Sequence, residues 1–227
     1  MKKTVSVPFM ALGLLFACSL IISNIIEQKF INIGRIEATA ALLIFPISYI
    51  INDLITEVWG YRKARLIIWS GFAMNFFAVA MFQLAIIVPG SENFTHQEAF
   101  AKVLGTTTLR ISIASFIAFL CGSFFNAYVM SRMKILQHGR GFSIRAIVST
   151  MAGEGVDSLL FFALAFYGVI PNNALITLIF TQMGMKTAYE IVALPFTNIL
   201  VRQLKKHEQT DVYDKGVSYN PLKINEI

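Results

Sequence analysis

The sequence predicts an all-α integral membrane protein with six transmembrane helices and with both termini in the cytoplasm. The chain of 227 residues is 56% apolar and only 14% charged, whereas a soluble domain usually carries about a quarter charged residues. The apolar residues form long runs, and the charged residues gather in the short connections between them. This composition excludes a soluble globular domain, and its high hydrophobicity excludes a disordered chain.

Six apolar segments are long enough to cross a bilayer, which requires roughly 20 apolar residues in a helix. Short alternating segments typical of a membrane barrel do not occur, so helices are the structure that satisfies the backbone in lipid. The predicted segments are 8–26, 38–55, 66–88, 111–130, 144–170 and 174–201. We predict one transmembrane domain over residues 1–207, with a short surface helix at 95–103, and a mobile cytoplasmic tail at 208–227.

The orientation follows from the distribution of Lys and Arg, which favour the cytoplasmic side of membrane proteins. One set of segment ends carries twelve Lys and Arg residues, and the opposite set carries at most four. The more basic set includes both chain termini, which are therefore predicted to be cytoplasmic. The net charge of +6 is explained by these loops, so we predict the lipid bilayer as a partner and no nucleic acid.

Ionisable residues inside an apolar segment cost about 2.5–3.5 kcal/mol each and usually have a partner or a function. Asp53 and Glu57 lie four residues apart near the end of the second segment, so both carboxylates share one helix face. Buried polar residues of this kind indicate a transporter, and we predict that both carboxylates bind its substrate. For Glu57 the alternative is a solvated carboxylate or an ion pair with Arg62.

Two further pairs lie deep in the fifth and sixth segments. Glu154 and Asp157 share one face of the fifth, and Lys186 and Glu190 share one face of the sixth. All four are predicted substrate-binding residues. The structural alternatives are a buried ion pair at Glu154 and Asp157, and pairing of Lys186 either with Glu190 or with the acids of the facing helix.

Three other polar residues complete the predicted substrate site. Arg110 begins the fourth segment and is either a site residue or an interfacial anchor. Asn24 and Asn126 lie within apolar segments, where hydrogen bonding between helices is the common alternative.

The sequence contains no arrangement that indicates catalysis. The three His residues lie in loops or in the tail, and neither a zinc motif nor a nucleophile or phosphate-binding motif occurs. We therefore predict no enzymatic activity, no metal and no cofactor. An intramembrane enzyme remains the disfavoured reading, and a homo-oligomer is compatible with the sequence.

Three motifs resemble the queuosine precursor transporter family, which is related to vitamin uptake transporters. Residues 52–61 read NDLITEVWGY, residues 153–158 read GEGVDS, and residues 186–190 read KTAYE ahead of Pro195. Ser23, Asn24 and Lys29 are also similar to the family. The resemblance spans roughly residues 12–202, and Trp59 stands where Tyr is frequent.

The resemblance implies a six-helix importer in the bacterial inner membrane that supplies tRNA queuosine synthesis. Its substrates would be 7-cyano-7-deazaguanine, 7-aminomethyl-7-deazaguanine or both. The donor edge of such a base suits a carboxylate, and its flat face suits an aromatic wall, for which the candidates are Phe125, Phe161 and Phe162. The alternative function is a substrate-binding component of an energy-coupling-factor vitamin transporter with separate ATPase subunits. Proton coupling, ATP hydrolysis and facilitated diffusion all remain open as the energy source.

Overall fold

The computed structural model describes residues 5–27, 29–33, 36–105, 109–169 and 171–223. The all-α fold class is confirmed, although a small hairpin accompanies the helices. The helices are α1 (Val7–Ile26), α2 (Phe45–Trp59), α3 (Tyr61–Ile87), α4 (Gln97–Leu104), α5 (Leu109–Leu136), α6 (Phe142–Phe166) and α7 (Asn172–Glu208).

Five stretches of the described chain are long and apolar enough to cross a membrane. These are α1, α2 with the 3-10 turn before it, α3, α5 from its second residue, and α6. The sixth predicted crossing lies in α7, which has 37 residues. It is not among the five because polar residues, including Lys186 and Glu190, interrupt its apolar sequence. The sixth crossing and the orientation of the termini therefore remain predictions.

The hairpin between α1 and α2 is a feature that the sequence analysis missed. Strand β1 (Phe30–Ile33) pairs antiparallel with strand β2 (Ile36–Thr39), and Phe30 lies opposite Thr39. The alternating isoleucines of this stretch favour a strand, but the run is short and directly precedes an apolar segment. A 3-10 turn (Ala40–Leu43) then leads into α2, so α2 begins later than predicted.

Two backbone features set the bounds of α2. Pro46 lies in its first turn, where the missing N–H of proline costs no helical hydrogen bond. Gly60 ends the helix with φ at 83°, a conformation that favours glycine, and α3 begins at the next residue. The predicted surface helix is confirmed as α4 (Gln97–Leu104), with Glu98 in its first turn and Lys102 in its last, as the helix dipole favours.

Helices α5 and α6 approach closely at two glycines. A Cβ atom on Gly122 would lie 2.9 Å from the carbonyl oxygen of Gly153, and a Cβ on Gly153 would lie 2.9 Å from that of Gly122. Small residues allow helix backbones to pack at this distance. Tyr49 of α2 lies against both glycines, so the contact also brings α2 to the same place.

The bundle buries polar residues and exposes apolar ones. Fully or nearly fully buried groups include Arg65, Asp53, Glu57, Arg145 and Glu154. Large apolar side chains such as Phe77, Val192 and Phe196 are more than 60% exposed. This arrangement suits a protein whose outer surface contacts lipid, where buried ionisable groups face the bundle interior.

We call the end of the bundle where α2 meets α3 and α5 meets α6 the basic end, and the opposite end the hairpin end. The tail, residues 210–223, lies across the basic end. Asp214 Oδ2 accepts hydrogen bonds from the Tyr61 N–H at 2.9 Å and from Ser131 Oγ at 2.6 Å, and the Tyr61 hydroxyl donates to the Tyr219 carbonyl at 2.9 Å. Residues 210–223 of the tail thus form hydrogen bonds to the bundle, and Asp214 accepts an N–H that the first turn of α3 leaves free. The mobility of the tail stays a prediction.

Candidate functional site

A column of buried side chains runs along one face of α2, between α6 and α7. On α2 it includes every fourth residue, namely Phe45, Tyr49, Asp53 and Glu57, and residues at this spacing share one helix face. Tyr49, Asp53 and Glu57 are at most 2% exposed. The column has three layers, each about one helical turn apart on α2.

The end layer lies at the basic end and holds Glu57, Lys134, Arg145, Lys205 and Asp211. Glu57 Oε1 lies 2.8 Å from Arg145 Nη2 and 2.6 Å from Lys205 Nζ. Lys134 and Lys205 lie 2.6 Å and 2.8 Å from Asp211 Oδ1 in the tail. Three cations thus face two carboxylates, and two of those cations are shared between α2 and the tail.

The cations of the end layer also lower the pKa of Asp211, which is the partly exposed acid of this layer. Burial by itself would raise the pKa of Asp211, but hydrogen bonds and charges from Lys134 and Lys205 outweigh burial and lower that pKa. A cleft of about 340 Å³ reaches this layer from outside the bundle. Its lining includes Glu57, Phe142, Asn198 and Lys205, so α2, α6 and α7 all border it.

The carboxyl layer is one turn deeper and contains Asp53 and Glu190, which are 0% and 1% exposed. The Glu190 carboxyl lies within hydrogen-bonding reach of Asp53. Ser149 Oγ is 3.4 Å from both carboxylate oxygens of Asp53, while it donates at 2.7 Å to a carbonyl of its own helix. Asn126 Nδ2 faces Asp53 and Thr150 Oγ1 faces Glu190. In the described chain, neither of these atoms and neither Glu190 oxygen forms a hydrogen bond of normal geometry.

The lysine layer is a further turn deeper and is centred on Lys186 of α7. Its ammonium lies 2.6 Å from Glu154 Oε2 and 3.0 Å from Asp157 Oδ2, both on α6. The same ammonium lies 4.3 Å from the centre of the Phe45 ring, within the range of a cation–π interaction. The Tyr49 hydroxyl and Glu154 Oε1 are buried here without a hydrogen-bond partner among the described residues.

The two deeper layers carry an excess of acid. Within the described chain they hold four carboxyl groups and one cation, whereas the end layer holds two carboxylates and three cations. Buried charges are stable only when they are paired, hydrogen-bonded or neutralised by protonation. The deeper layers are therefore suited to hold a ligand with hydrogen-bond donors, a cation or a proton.

Glu27 extends the column towards the hairpin end, and the sequence analysis missed it. It follows the last residue of α1. Burial raises the pKa of Glu27, the Lys186 charge opposes that rise, and the Asp157 charge adds to it. These influences place Glu27 near the lysine layer. Its spacing of three residues from Asn24, on the same helix face, was the available signal.

Six of the nine predicted site residues meet in the two deeper layers. They are Asp53, Asn126, Glu154, Asp157, Lys186 and Glu190. Of the two pairings considered for Lys186, the structure has the one with the acids of the facing helix. Glu57 lies in the end layer, and its partners there are Arg145 and Lys205 instead of Arg62.

Asn24 and Arg110 are placed elsewhere. Asn24 Nδ2 donates to Asn75 Oδ1 at 2.6 Å and so links α1 to α3. This is the helix–helix hydrogen bond that was the alternative to substrate binding. Arg110 is exposed and donates to the carbonyls of Leu164 and Tyr167 at 2.7 Å and 2.9 Å. It thereby satisfies carbonyls at the end of α6, where a cation also favours the helix dipole.

The aromatic residues beside the column differ from the candidates chosen from the sequence. Phe125 is 42% exposed and contacts Tyr128, while Phe161 and Phe162 pack edge to face with ring centres 5.3 Å apart. Phe45 and Tyr49 lie at the lysine layer instead. Their spacing of four residues before Asp53 and Glu57 could have identified them.

The cations of the end layer were also missed as partners of Glu57. Lys134 and Arg145 were counted only as basic loop residues, because they lie at the ends of apolar segments. Their partners are 77 and 88 residues away along the chain, and no sequence pattern connects them.

Among the described residues, no group of His, Cys, Asp and Glu is arranged to hold a metal ion.

The helical bundle with a lipid-suited surface and a polar column defines a multi-pass membrane protein of the transporter class. The sequence profile of the family described as "Putative vitamin uptake transporter" matches residues 39–200. This match covers well over half of the chain and includes α2, α3, α5 and α6 in full. The chain belongs to this family, and its location in the bacterial inner membrane agrees with the prediction.

Three relatives are named as queuosine precursor transporters, two of them as probable ones. The "Probable queuosine precursor transporter" of Bacillus subtilis (strain 168) is 21% identical over 203 residues, which cover 89% of this chain and 86% of that protein. The "Queuosine precursor transporter" of Escherichia coli (strain K12) is 26% identical over 149 residues, covering 64% and 62%. A "Probable queuosine precursor transporter" of Haemophilus influenzae is 28% identical over 137 residues, covering 58% and 53%. No solved structure gives a significant match.

Proposed function

We propose that this protein imports queuosine precursors across the bacterial inner membrane for tRNA modification. Its substrates are 7-cyano-7-deazaguanine, 7-aminomethyl-7-deazaguanine or both, and it does no chemistry on them. The observation that carries this proposal is the lysine layer, a buried group of acids and one lysine in a chain whose relatives are named for such precursors.

The lysine layer offers groups that complement a deazaguanine. Such a base presents a ring N–H and an amino group side by side, and one carboxylate can accept both hydrogen bonds. Glu154 is the candidate acceptor, since its Oε1 has no partner among the described residues. Lys186 can donate to the carbonyl oxygen of the base, and Asp157 can hold Lys186 in place.

Two aromatic residues support the same position for the base. The Phe45 ring contacts the Lys186 ammonium, and Tyr49 is buried between the layers. Aromatic faces stack on flat bases with about 1–3 kcal/mol per base. In this proposal the base stacks on Phe45 with its donor edge towards Glu154.

The proposed route follows the column from the hairpin end to the basic end. It requires α7 to cross the membrane as the sixth span, with both termini in the cytoplasm. The concentration of Lys and Arg at the basic end supports that orientation. The cleft at the end layer supports an exit there, because it reaches Glu57 between α2, α6 and α7.

The proposal is tested in a bacterial strain that cannot make the precursor and lacks its own importer. Expression of this chain with external base should restore queuosine in tRNA. We expect Glu154→Gln to lower uptake of labelled base about tenfold or more, because a hydrogen bond to a charged group is worth roughly 1.5–3 kcal/mol. Glu98→Gln on the exposed helix α4 is the matched control and should transport normally.

Normal uptake by both Glu154→Gln and Asp157→Asn would refute the assignment of the lysine layer. Purified protein in liposomes without any ATPase separates the two transport models. Uptake in such liposomes supports an importer that works alone. Uptake in cells but not in liposomes would instead favour the component that needs separate ATPase subunits.

A further inference from the structure

Among the residues that the structure describes, the carboxyl layer contains two buried acids and no cation that is free to pair with them. Lys186 lies 2.6 Å from Glu154 and 3.0 Å from Asp157. Arg145 lies 2.8 Å from Glu57 in the end layer. The cations that flank the layer on α6 and α7 are thus paired with other carboxylates.

The neutral neighbours of the layer do not replace a cation. Ser149 is 3.4 Å from Asp53 and gives its shorter hydrogen bond to the backbone. Asn126 is 0% exposed and Thr150 is 2% exposed. Asn126 Nδ2 faces Asp53 and Thr150 Oγ1 faces Glu190, but neither atom forms a hydrogen bond of normal geometry. Two buried polar groups are therefore available to a ligand that the carboxyl pair would hold.

Each helix of the column contributes polar or charged groups to the surroundings of Asp53 and Glu190. These groups are Tyr49 and Glu57 on α2, Asn126 on α5, Arg145, Ser149, Thr150, Glu154 and Asp157 on α6, and Lys186 on α7. Two like charges at such close range in a water-poor interior are strongly unfavourable, and such pairs commonly share one proton.

We propose that Asp53 and Glu190 form a proton-binding site that couples proton entry to import of the base. The inference rests on the proposed function and adds its driving ion. A proton enters from the hairpin end, bridges the two carboxyl groups, and leaves at the basic end with the base. One O–H bond forms and later breaks, and no oxidant or reductant is involved.

The coupling follows from the position of Lys186 on α7. Lys186 and Glu190 lie four residues apart, a spacing that permits an ion pair on one helix face. While Glu190 shares a proton with Asp53, Lys186 stays with Glu154 and Asp157 and the lysine layer is formed. When the proton leaves, Glu190 competes for Lys186, which weakens the layer that holds the base and releases it.

The first test detects the proton itself. Infrared spectra of the purified protein at neutral pH should contain the C=O stretching band of a buried protonated carboxyl. That band should shift or disappear in Asp53→Asn and in Glu190→Gln, and it should persist in the control Glu98→Gln. A wild-type spectrum without the band, or a band that both variants leave unchanged, would overturn the inference whether or not the base is transported.

The second test separates coupling from transport. Liposomes containing the protein are assayed for exchange of labelled against unlabelled 7-cyano-7-deazaguanine, and for accumulation driven by a pH gradient. Glu190→Gln imitates the protonated side chain and cannot draw Lys186 away from the lysine layer. Exchange requires only that base dissociates and rebinds while the site stays protonated, so the variant should retain exchange and lose the accumulation that the gradient drives. Glu98→Gln should retain both.

The remaining outcomes distinguish the two proposals. Wild-type accumulation that ignores the pH gradient, or that follows a sodium gradient, would overturn proton coupling and leave the importer intact. Absence of exchange by the wild-type protein would overturn the proposed function, and the infrared spectrum would still decide whether the pair holds a proton. Loss of exchange in Glu190→Gln with a folded protein would place Glu190 in base binding and count against a separate proton site.

Discussion

Asp53 and Glu57 are two buried carboxylates four residues apart on one helix, yet they lie in opposite electrostatic surroundings. Glu57 is surrounded by Arg145 and Lys205 at 2.8 Å and 2.6 Å. Asp53 is adjacent to another acid, Glu190, and its hydroxyl contact is a long one at 3.4 Å. The partners that other helices supply therefore decide what each carboxylate can do.

This difference separates a cluster of ion pairs from the proposed transport site. The end layer joins α2, α5, α6, α7 and the tail through ion pairs whose charges nearly cancel. Among the described residues, the deeper layers leave carboxyl oxygens and polar groups without hydrogen bonds of normal geometry, at a cost in stability. Proteins tolerate such a cost where a ligand or a proton satisfies these groups.

The largest effect is expected from the cation of the lysine layer. Lys186→Met leaves Glu154 and Asp157 buried beside each other without a counter-charge, and breaking a buried ion pair costs about 3–5 kcal/mol. We expect a lower thermal unfolding temperature in detergent and no uptake of the base. Lys102→Met on the exposed helix α4 is the control and should change neither.

A double variant shows whether the uptake defect reflects more than folding. Lys186→Met combined with Glu154→Gln removes one stranded charge, so it should recover part of the lost stability. Uptake should stay absent. Recovery of uptake together with stability would mean that the lysine layer is only structural.

The next effect tests the opposite side of the comparison. Glu57→Gln removes a charge-assisted acceptor from Arg145 and Lys205, and we expect a loss of about 1–3 kcal/mol in unfolding free energy. Exchange of the base per folded molecule should stay near the wild-type value. Normal stability combined with lost exchange would mean that Glu57 acts in transport and not in stabilising the bundle.

A smaller effect is expected at the tail. Asp214→Ala removes the acceptor of the Tyr61 N–H and of the Ser131 hydroxyl, which should cost about 1–2 kcal/mol. Hydrogen exchange of the backbone amides in residues 210–223 should become faster. Lys215→Ala, at an exposed neighbouring position, should leave that exchange unchanged. Fast exchange in the wild-type tail would show that it is mobile despite these contacts.

The smallest effect concerns pH and the exposed acid of the end layer. Because Lys134 and Lys205 lower the pKa of Asp211 against the effect of its burial, its ion pairs stabilise the protein above the unfolded pKa of about 4. This contribution should disappear as the pH falls through the lowered folded pKa. At neutral pH the unfolding free energy of the wild type should exceed that of Asp211→Asn by less than about 1 kcal/mol. Thermal unfolding at decreasing pH should show this difference in stability disappear. A gap that widens on acidification would contradict this assignment.

The site was predictable from the sequence where its signal is local. Ionisable residues in apolar segments identified Asp53, Glu154, Asp157, Lys186 and Glu190, because such residues are rare in membrane helices. The same spacing argument extended by two turns would have added Phe45 and Tyr49. The hairpin was not predictable from the sequence, because its short strands border an apolar segment and have the same composition as the beginning of that segment.

The sequence by itself determined the membrane class, the family and most of the acidic residues of the column. Hydrophobic runs and motifs are properties of consecutive residues, so they can be identified from the sequence alone. Only the tertiary structure decided that Lys186 pairs with Glu154 and Asp157, that Arg145 and Lys205 pair with Glu57, and that Asp53 is left with Glu190. Those pairings depend on how α2, α6 and α7 pack, and packing joins residues that are far apart in the chain.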